Sequence, residues 1–156
     1  MAARGAAQQG FKEFFMKKIG LVLVALVLAL ATVSADDRIV SPDQLPQKAK
    51  DFIASKFAGK TVQYVEKDFN EYEVQLNDRS EIKFGGNGEW ETIKCYQGIP
   101  AGILPEAVTS YVTSNFADAK IVEAEMDWNG IELKLSNRME VHFDKNGKFL
   151  GQKYDD

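Results

Sequence analysis

One cysteine and one histidine are all that 156 residues provide, and no uninterrupted apolar run reaches the length of a membrane span. A lone Cys95 cannot close an intramolecular disulfide; its thiol is either reactive, a link to a second chain, or a small apolar residue within a strand. The last is the expectation here. A nucleophilic Cys–His pair would have to join Cys95 to His142, because there is no other base of that type. His142 stands near Glu140 and Lys134 on the polar face of an expected strand, and so reads as a solvated surface residue. No glycine-rich loop leads into a helix, so there is no phosphate cradle. Basic residues are also scarce. From Asp36 onward 15 Lys and Arg face 22 Asp and Glu, a net charge of −7. Such a surface disfavours nucleic acid, whose phosphates need clustered cations, and is repelled by anionic lipid head groups.

The longest apolar stretch, Ile19 to Ala31, is preceded by Met16-Lys17-Lys18 and followed by Thr32-Val33-Ser34-Ala35. Basic, apolar and small residues in that order make a secretory signal peptide, with cleavage expected after Ala35. A spanning helix needs roughly 20 apolar residues, and Ile19 to Val33 falls short of that. No stable membrane association is expected after cleavage. No cysteine follows the stretch to carry a lipid anchor. Residues 1–15 precede a natural-looking start at Met16 and are expected to lie outside the functional protein. The expected organisation is an extension and signal peptide over 1–35, then a single periplasmic or secreted domain over 36–156.

That domain contains one motif twice. A shift of 59 positions lays Leu45-Pro46 on Leu104-Pro105, Phe57-Ala58 on Phe116-Ala117, and Tyr72 to Leu76 on Ile131 to Leu135. The same shift lays Arg79 on Arg138, Phe84 on Phe143, Asn87-Gly88 on Asn146-Gly147, and Trp90 on Phe149. The expected repeats run over about 41–96 and 100–155. Each reads as a helix followed by strands. Pro46 and Pro105 suit a first helical position, where no N–H is needed. Ala49, Phe52, Ile53 and Phe57 then share one helical face, as do Val108, Tyr111, Val112 and Phe116. The helices are expected to end near Ala58 and Asp118, with Gly59 as a left-handed cap.

Beyond the helices the period becomes two. Tyr72, Val74 and Leu76 alternate with Glu73 and Gln75, and Ile131, Leu133 and Leu135 with Glu132 and Lys134. This pattern describes antiparallel strands with one wet face. Asn87-Gly88 and Asn146-Gly147 predict tight hairpins in which both central residues take positive φ. First strands are expected near 61–67 and 120–126. One repeat of this size buries too little to stand alone, so the two sheets are expected to join or pack closely. The fold class is α+β, two tandem helix-plus-meander repeats with helices on one face.

Two Leu-Pro-led helices, each with a meander closed by Phe84-Gly85-Gly86-Asn87-Gly88-Glu89-Trp90 or Phe143-Asp144-Lys145-Asn146-Gly147-Lys148-Phe149, resemble the PepSY-like periplasmic proteins. These belong to the broader group with a β-lactamase-inhibitor-like fold. The resemblance implies an antiparallel sheet with helices on one side, export, no catalysis, and a protein as partner. It supplies no catalytic residues. Gly85-Gly86 in the first repeat departs from Asp144-Lys145 in the second.

Asp144-Lys145-Asn146-Gly147 has the look of an opening calcium loop. An EF-hand requires further oxygen ligands and a Glu at its twelfth position, which Asp155 occupies instead, so a tight turn and no metal is the expectation. The pairs Glu71/Glu73, Glu89/Glu91 and Glu123/Glu125 should each point to one face of a strand. Glycosidase chemistry would set two carboxylates across a cleft, and a solvated face is expected instead. No cofactor is expected. The candidate binding surface comprises Glu73, Gln75, Glu81, Lys83, Glu132, Lys134, Glu140 and His142, with Phe69 and Trp128 at its rim as aromatic anchors. Trp90 and Phe149 are assigned to the core. The expected function is an exported non-enzymatic domain that binds or inhibits another protein. The rival is an envelope domain sensing a small ligand or metal.

Overall fold

The computed structural model describes residues 38–155; the apolar stretch, the site after Ala35 and residues 1–15 lie outside the described residues. The elements are β1 (Arg38–Val40), a 3-10 turn (Pro42–Gln44), α1 (Gln47–Lys56), β2 (Val62–Asp68), β3 (Glu71–Leu76), β4 (Glu81–Gly85) and β5 (Trp90–Lys94). Then follow α2 (Glu106–Asn115), β6 (Ile121–Met126), β7 (Ile131–Leu135), β8 (Met139–Phe143) and β9 (Phe149–Tyr154). All nine strands form one antiparallel sheet in sequence order. The fold class is α+β.

The helices start one residue later than the prolines suggest. Pro46 and Pro105 are the N-caps, with φ of −53° and −54°. Each proline carbonyl accepts two amides from the first turn of its helix, those of Ala49 and Lys50 or of Val108 and Thr109. The helices also end earlier than expected, at Lys56 and Asn115, because Phe57 and Phe116 leave helical φ/ψ while still donating to Ile53 and Val112. Gly59 takes the left-handed conformation at φ 81°, as expected.

The hairpins after β4 and β8 form where Asn-Gly predicts them, but with another backbone. Only Gly88 and Gly147 have positive φ; Asn87 and Asn146 do not. The turns are longer than two residues, and each carries a register shift beside it, at Lys83/Phe84 and at His142/Phe143. This is the turn-plus-bulge alternative to the two-residue turn. Gly88 serves a second purpose: a Cβ there would meet Pro46 Cβ at 2.9 Å and Lys48 Cβ at 3.0 Å, so this tip closes onto the start of α1.

Strand β1 has no counterpart in the sequence expectations, because three residues carry no readable period. It pairs Val40 with Val65, just as β5 pairs Ile93 with Ala124. Val65 and Ala124 are 59 positions apart. Thus β1 gives β2 the neighbour that β5 gives β6.

Directly opposed residues in antiparallel strands face the same side. One apolar row therefore crosses the sheet from Val40 through Val65, Val74, Ile82, Ile93, Ala124 and Leu133 to Val141. Ala49 and Ile53 of α1 join the first half of this row in one cluster, and Val108 and Val112 of α2 join the second half in another. Trp90 and Ile99 touch both clusters and make the core continuous. Phe149 stacks on Tyr111 with ring centroids 4.5 Å apart. Full burial of each such aliphatic side chain contributes about 1.5–3 kcal/mol, so the apolar face is the main source of stability.

Candidate functional site: the polar face of the sheet

The alternation that buries the apolar row turns the intervening residues to the opposite face. Two polar rows run across it. The first passes from Glu66 through Glu73, Lys83, Thr92, Glu125 and Glu132 to His142. The second passes from Tyr64 through Gln75, Glu81, Lys94, Glu123, Lys134 and Glu140 to Lys153.

The two rows differ in charge pattern. From Glu81 to Lys153 the second row alternates in sign at every strand. Its contacts are Lys94 Nζ to Glu81 Oε2 at 4.0 Å, Lys134 Nζ to Glu123 Oε2 at 3.6 Å, and Lys153 Nζ to Glu140 Oε1 at 2.7 Å. The first row holds four glutamates against one lysine. Lys83 turns aside to Glu71 Oε2 at 2.8 Å, and that carboxylate raises the lysine's pKa above its ordinary value. Uncompensated negative charge therefore collects along Glu66, Asp68 and Glu73, which with the Glu71–Lys83 pair line an open depression of about 220 Å³. A second depression, about 190 Å³, is lined by Glu125, Asp127, Asn129, Glu132 and His142.

Eight predicted site residues, Glu73, Gln75, Glu81, Lys83, Glu132, Lys134, Glu140 and His142, stand on this face. They fall into two groups, since β5 and β6 separate Lys83 from Glu132. Phe69 and Trp128 stand at the β2–β3 and β6–β7 turns, 96% and 80% exposed. Both turns lie at the same end of the sheet, four strand spacings or roughly 19 Å apart. Trp128 also lines a larger groove of about 400 Å³ with Trp90, Met126, Ile131 and Lys145.

Glu140 and His142 depart from the solvated surface expected of them. Glu140 is 5% exposed. Lys153 beside it holds its carboxyl below the usual carboxylate range. The His142 ring lies between two carboxylates, with Nε2 2.9 Å from Glu140 Oε1 and Nδ1 3.5 Å from Glu132 Oε2. Burial, reinforced by Glu140, pushes the Glu132 pKa up. Alternation places Glu140 and His142 on one face, but only the β7–β8 register adds Glu132. Lys153, Glu123 and Glu125 belong to the same rows and were missed as site residues, although the period of two extends to all three.

The remaining candidates serve the fold. Cys95 is 3% exposed within the first core cluster, and burial pushes its thiol pKa up, away from the thiolate a nucleophile needs. It follows the polar-face Lys94 and so faces the core, across the sheet from His142. Asp144 Oδ1 accepts the amides of Asn146 and Lys148, which closes the turn. Glu89 lies in the turn before β5, so it does not form a strand pair with Glu91; it bridges to Lys48 at 2.7 Å instead.

The family model described as beta-lactamase-inhibitor-like, PepSY-like matches residues 32–86 and 70–151. The chain belongs to the PepSY-like family. A solved Bacteroides thetaiotaomicron structure, described as a calcium-regulated periplasmic protein, is 35% identical with a TM-score of 0.71. The match covers 76% of this chain and 97% of that one. A Bacteroides vulgatus structure, described as a periplasmic protein of unknown function, is 33% identical at TM-score 0.71, covering 75% and 98%. A second from that organism is 30% identical at 0.71, covering 77% and 98%. No curated protein matches. Among the described residues of this PepSY-like chain, no helix is long and apolar enough to cross a membrane.

Proposed function

We propose that this chain is an exported, non-enzymatic binding domain built from two copies of one helix-plus-meander unit, about 41–96 and 100–155. In this reading the helices cover one face of the sheet and the polar face engages another protein, as an inhibitor or adaptor. The observation that carries it is the first polar row, where Glu66, Glu73, Glu125 and Glu132 outnumber Lys83 on a rigid nine-stranded support. Such a surface favours a partner with a complementary cationic patch, and charge complementarity of this kind speeds encounter and rejects wrong partners. Trp128 and Phe69 supply large exposed aromatic area at the rim, the type of side chain that anchors interfaces. The periplasmic descriptions of the structural relatives support an envelope location.

The test is affinity capture from envelope extract with the purified protein, followed by identification of what stays bound. Trp128→Ala and the charge reversal Glu73→Lys should leave the circular dichroism spectrum unchanged and reduce capture, and added salt should weaken it. Capture unaffected by both variants would reject this face. A second reading, an envelope metal-sensing domain, draws on the calcium-regulated description of one relative. Calorimetry with calcium chloride tests it, and absence of heat at millimolar calcium dismisses calcium as the signal.

A further inference from the structure

The geometry points to a transition-metal site of the zinc class at Glu132, Glu140 and His142. One ligand atom from each of the three lies within 4.8 Å of the other two. A tetrahedral ion with bonds near 2.0–2.1 Å holds its ligands roughly 3.4 Å apart, so the two carboxylates, which face opposite nitrogens of the His142 ring, have to converge on one of them to close the set. Glu132 and His142 have room to move, with side chains 38% and 34% exposed.

The second observation is Glu140 itself. Its side chain is 7% exposed and its Oε1 is closed to solvent, facing the Lys153 ammonium and the His142 ring nitrogen. Lys153 Nζ and His142 Nε2 stand 2.7 and 2.9 Å away, the two contacts that compensate this buried charge. This buried carboxylate oxygen is aimed at an imidazole nitrogen and is held ionised by an exchangeable ammonium. Lys153, 63% exposed, is the movable part: its ammonium neutralises Glu140 and can swing into water when a cation arrives.

Donor chemistry selects the ion. One imidazole and two carboxylates suit zinc and its neighbours, whereas calcium takes six to eight oxygens and gains nothing from a ring nitrogen. The open depression above Glu132 and His142, lined also by Glu125, Asp127 and Asn129, leaves room for a further ligand. The site is independent of protein binding on the rest of the face, and it gives the metal-sensing reading a location and an ion class.

Tag-free protein titrated with zinc chloride should bind one ion per chain. The chain has a single histidine, so the ring-proton resonances of His142 should shift on addition. His142→Gln and Glu132→Gln should each weaken binding by about tenfold or more, and Lys153→Met should tighten it by removing the competing ammonium. Calcium chloride in parallel separates this site from a general calcium response and should leave the imidazole resonances in place. Unmoved resonances at millimolar zinc, or wild-type affinity in both ligand variants, would overturn the assignment.

Discussion

Arg79 and Arg138, 59 positions apart, both hold the left-handed backbone conformation, at φ 68° and 66°. Each closes the turn between the second and third strands that follow its helix, donating its amide to Leu76 O or Leu135 O. A side chain in this region costs about 1–2 kcal/mol against the right-handed form. Glycine would remove that cost and add about 0.5–1 kcal/mol of unfolded-chain entropy. Arg79→Gly should therefore raise stability by about 0.5–1 kcal/mol, read as a higher urea midpoint. Arg138→Gly should gain less, because Arg138 also lies 5.0 Å from the Tyr154 ring and donates to Asp155 O at 3.0 Å. Equal gains would show that these two contacts add nothing.

Much of this architecture is readable in the sequence because one physical signal repeats. Strands β3, β4, β7 and β8 alternate cleanly, so both their faces could be assigned, and Leu-Pro marked both helix starts within a residue. Three things were hidden for definite reasons. Strand β1 is too short to show a period. Asn-Gly predicts a two-residue turn at Asn87-Gly88, yet the turn that forms is longer and carries a bulge at Lys83/Phe84. The burial of Glu140 arises from neighbours on β7 and β9, and an alternation pattern records the face of a residue but not what leans over it.

Gly130 and Gly151 make a contrasting pair. At Gly130, φ is 156°, and a Cβ would run into the carbonyl oxygen of Phe143 on the paired strand. At Gly151 a Cβ would meet nothing within 4 Å. Gly130→Ala should cost about 2 kcal/mol or more, since backbone cannot move aside there. Gly151→Ala should be neutral or slightly stabilising. Thermal melts of the two variants measure the difference, and a mild Gly130→Ala would mean that β7 can slide against β8.

Leu133 is fully buried in the apolar row, between Ala124 and Val141. With a residue as small as Ala124 on one side, little can move in to fill a vacated space. Leu133→Ala should therefore lie toward the upper part of the usual range of about 2–5 kcal/mol for such truncations. The double variant Ala124→Leu with Leu133→Ala should recover part of the loss by restoring volume. Denaturant titration of both decides it, and no recovery would indicate that the two sites do not share packing space.

Acid should destabilise this protein partly through Glu140. Lys153 holds its folded-state pKa below the ordinary glutamate value of about 4.3. The unfolded chain therefore takes up this proton at a higher pH than the folded chain does. The resulting stability is complete above the unfolded value and drains away as pH falls through the folded one. Glu132 acts in the opposite sense. Its folded pKa is raised by burial, so its contribution is present at low pH and is lost as pH climbs through that raised value. Glu140→Gln should thus flatten the fall in urea midpoint between about pH 5 and pH 3, whereas Glu132→Gln should steepen it. Lys153→Met should flatten it as Glu140→Gln does, because the lysine is the cause of the lowered value. An unchanged acid slope in Glu140→Gln and Lys153→Met together would mean that the 2.7 Å contact does not bias protonation in solution.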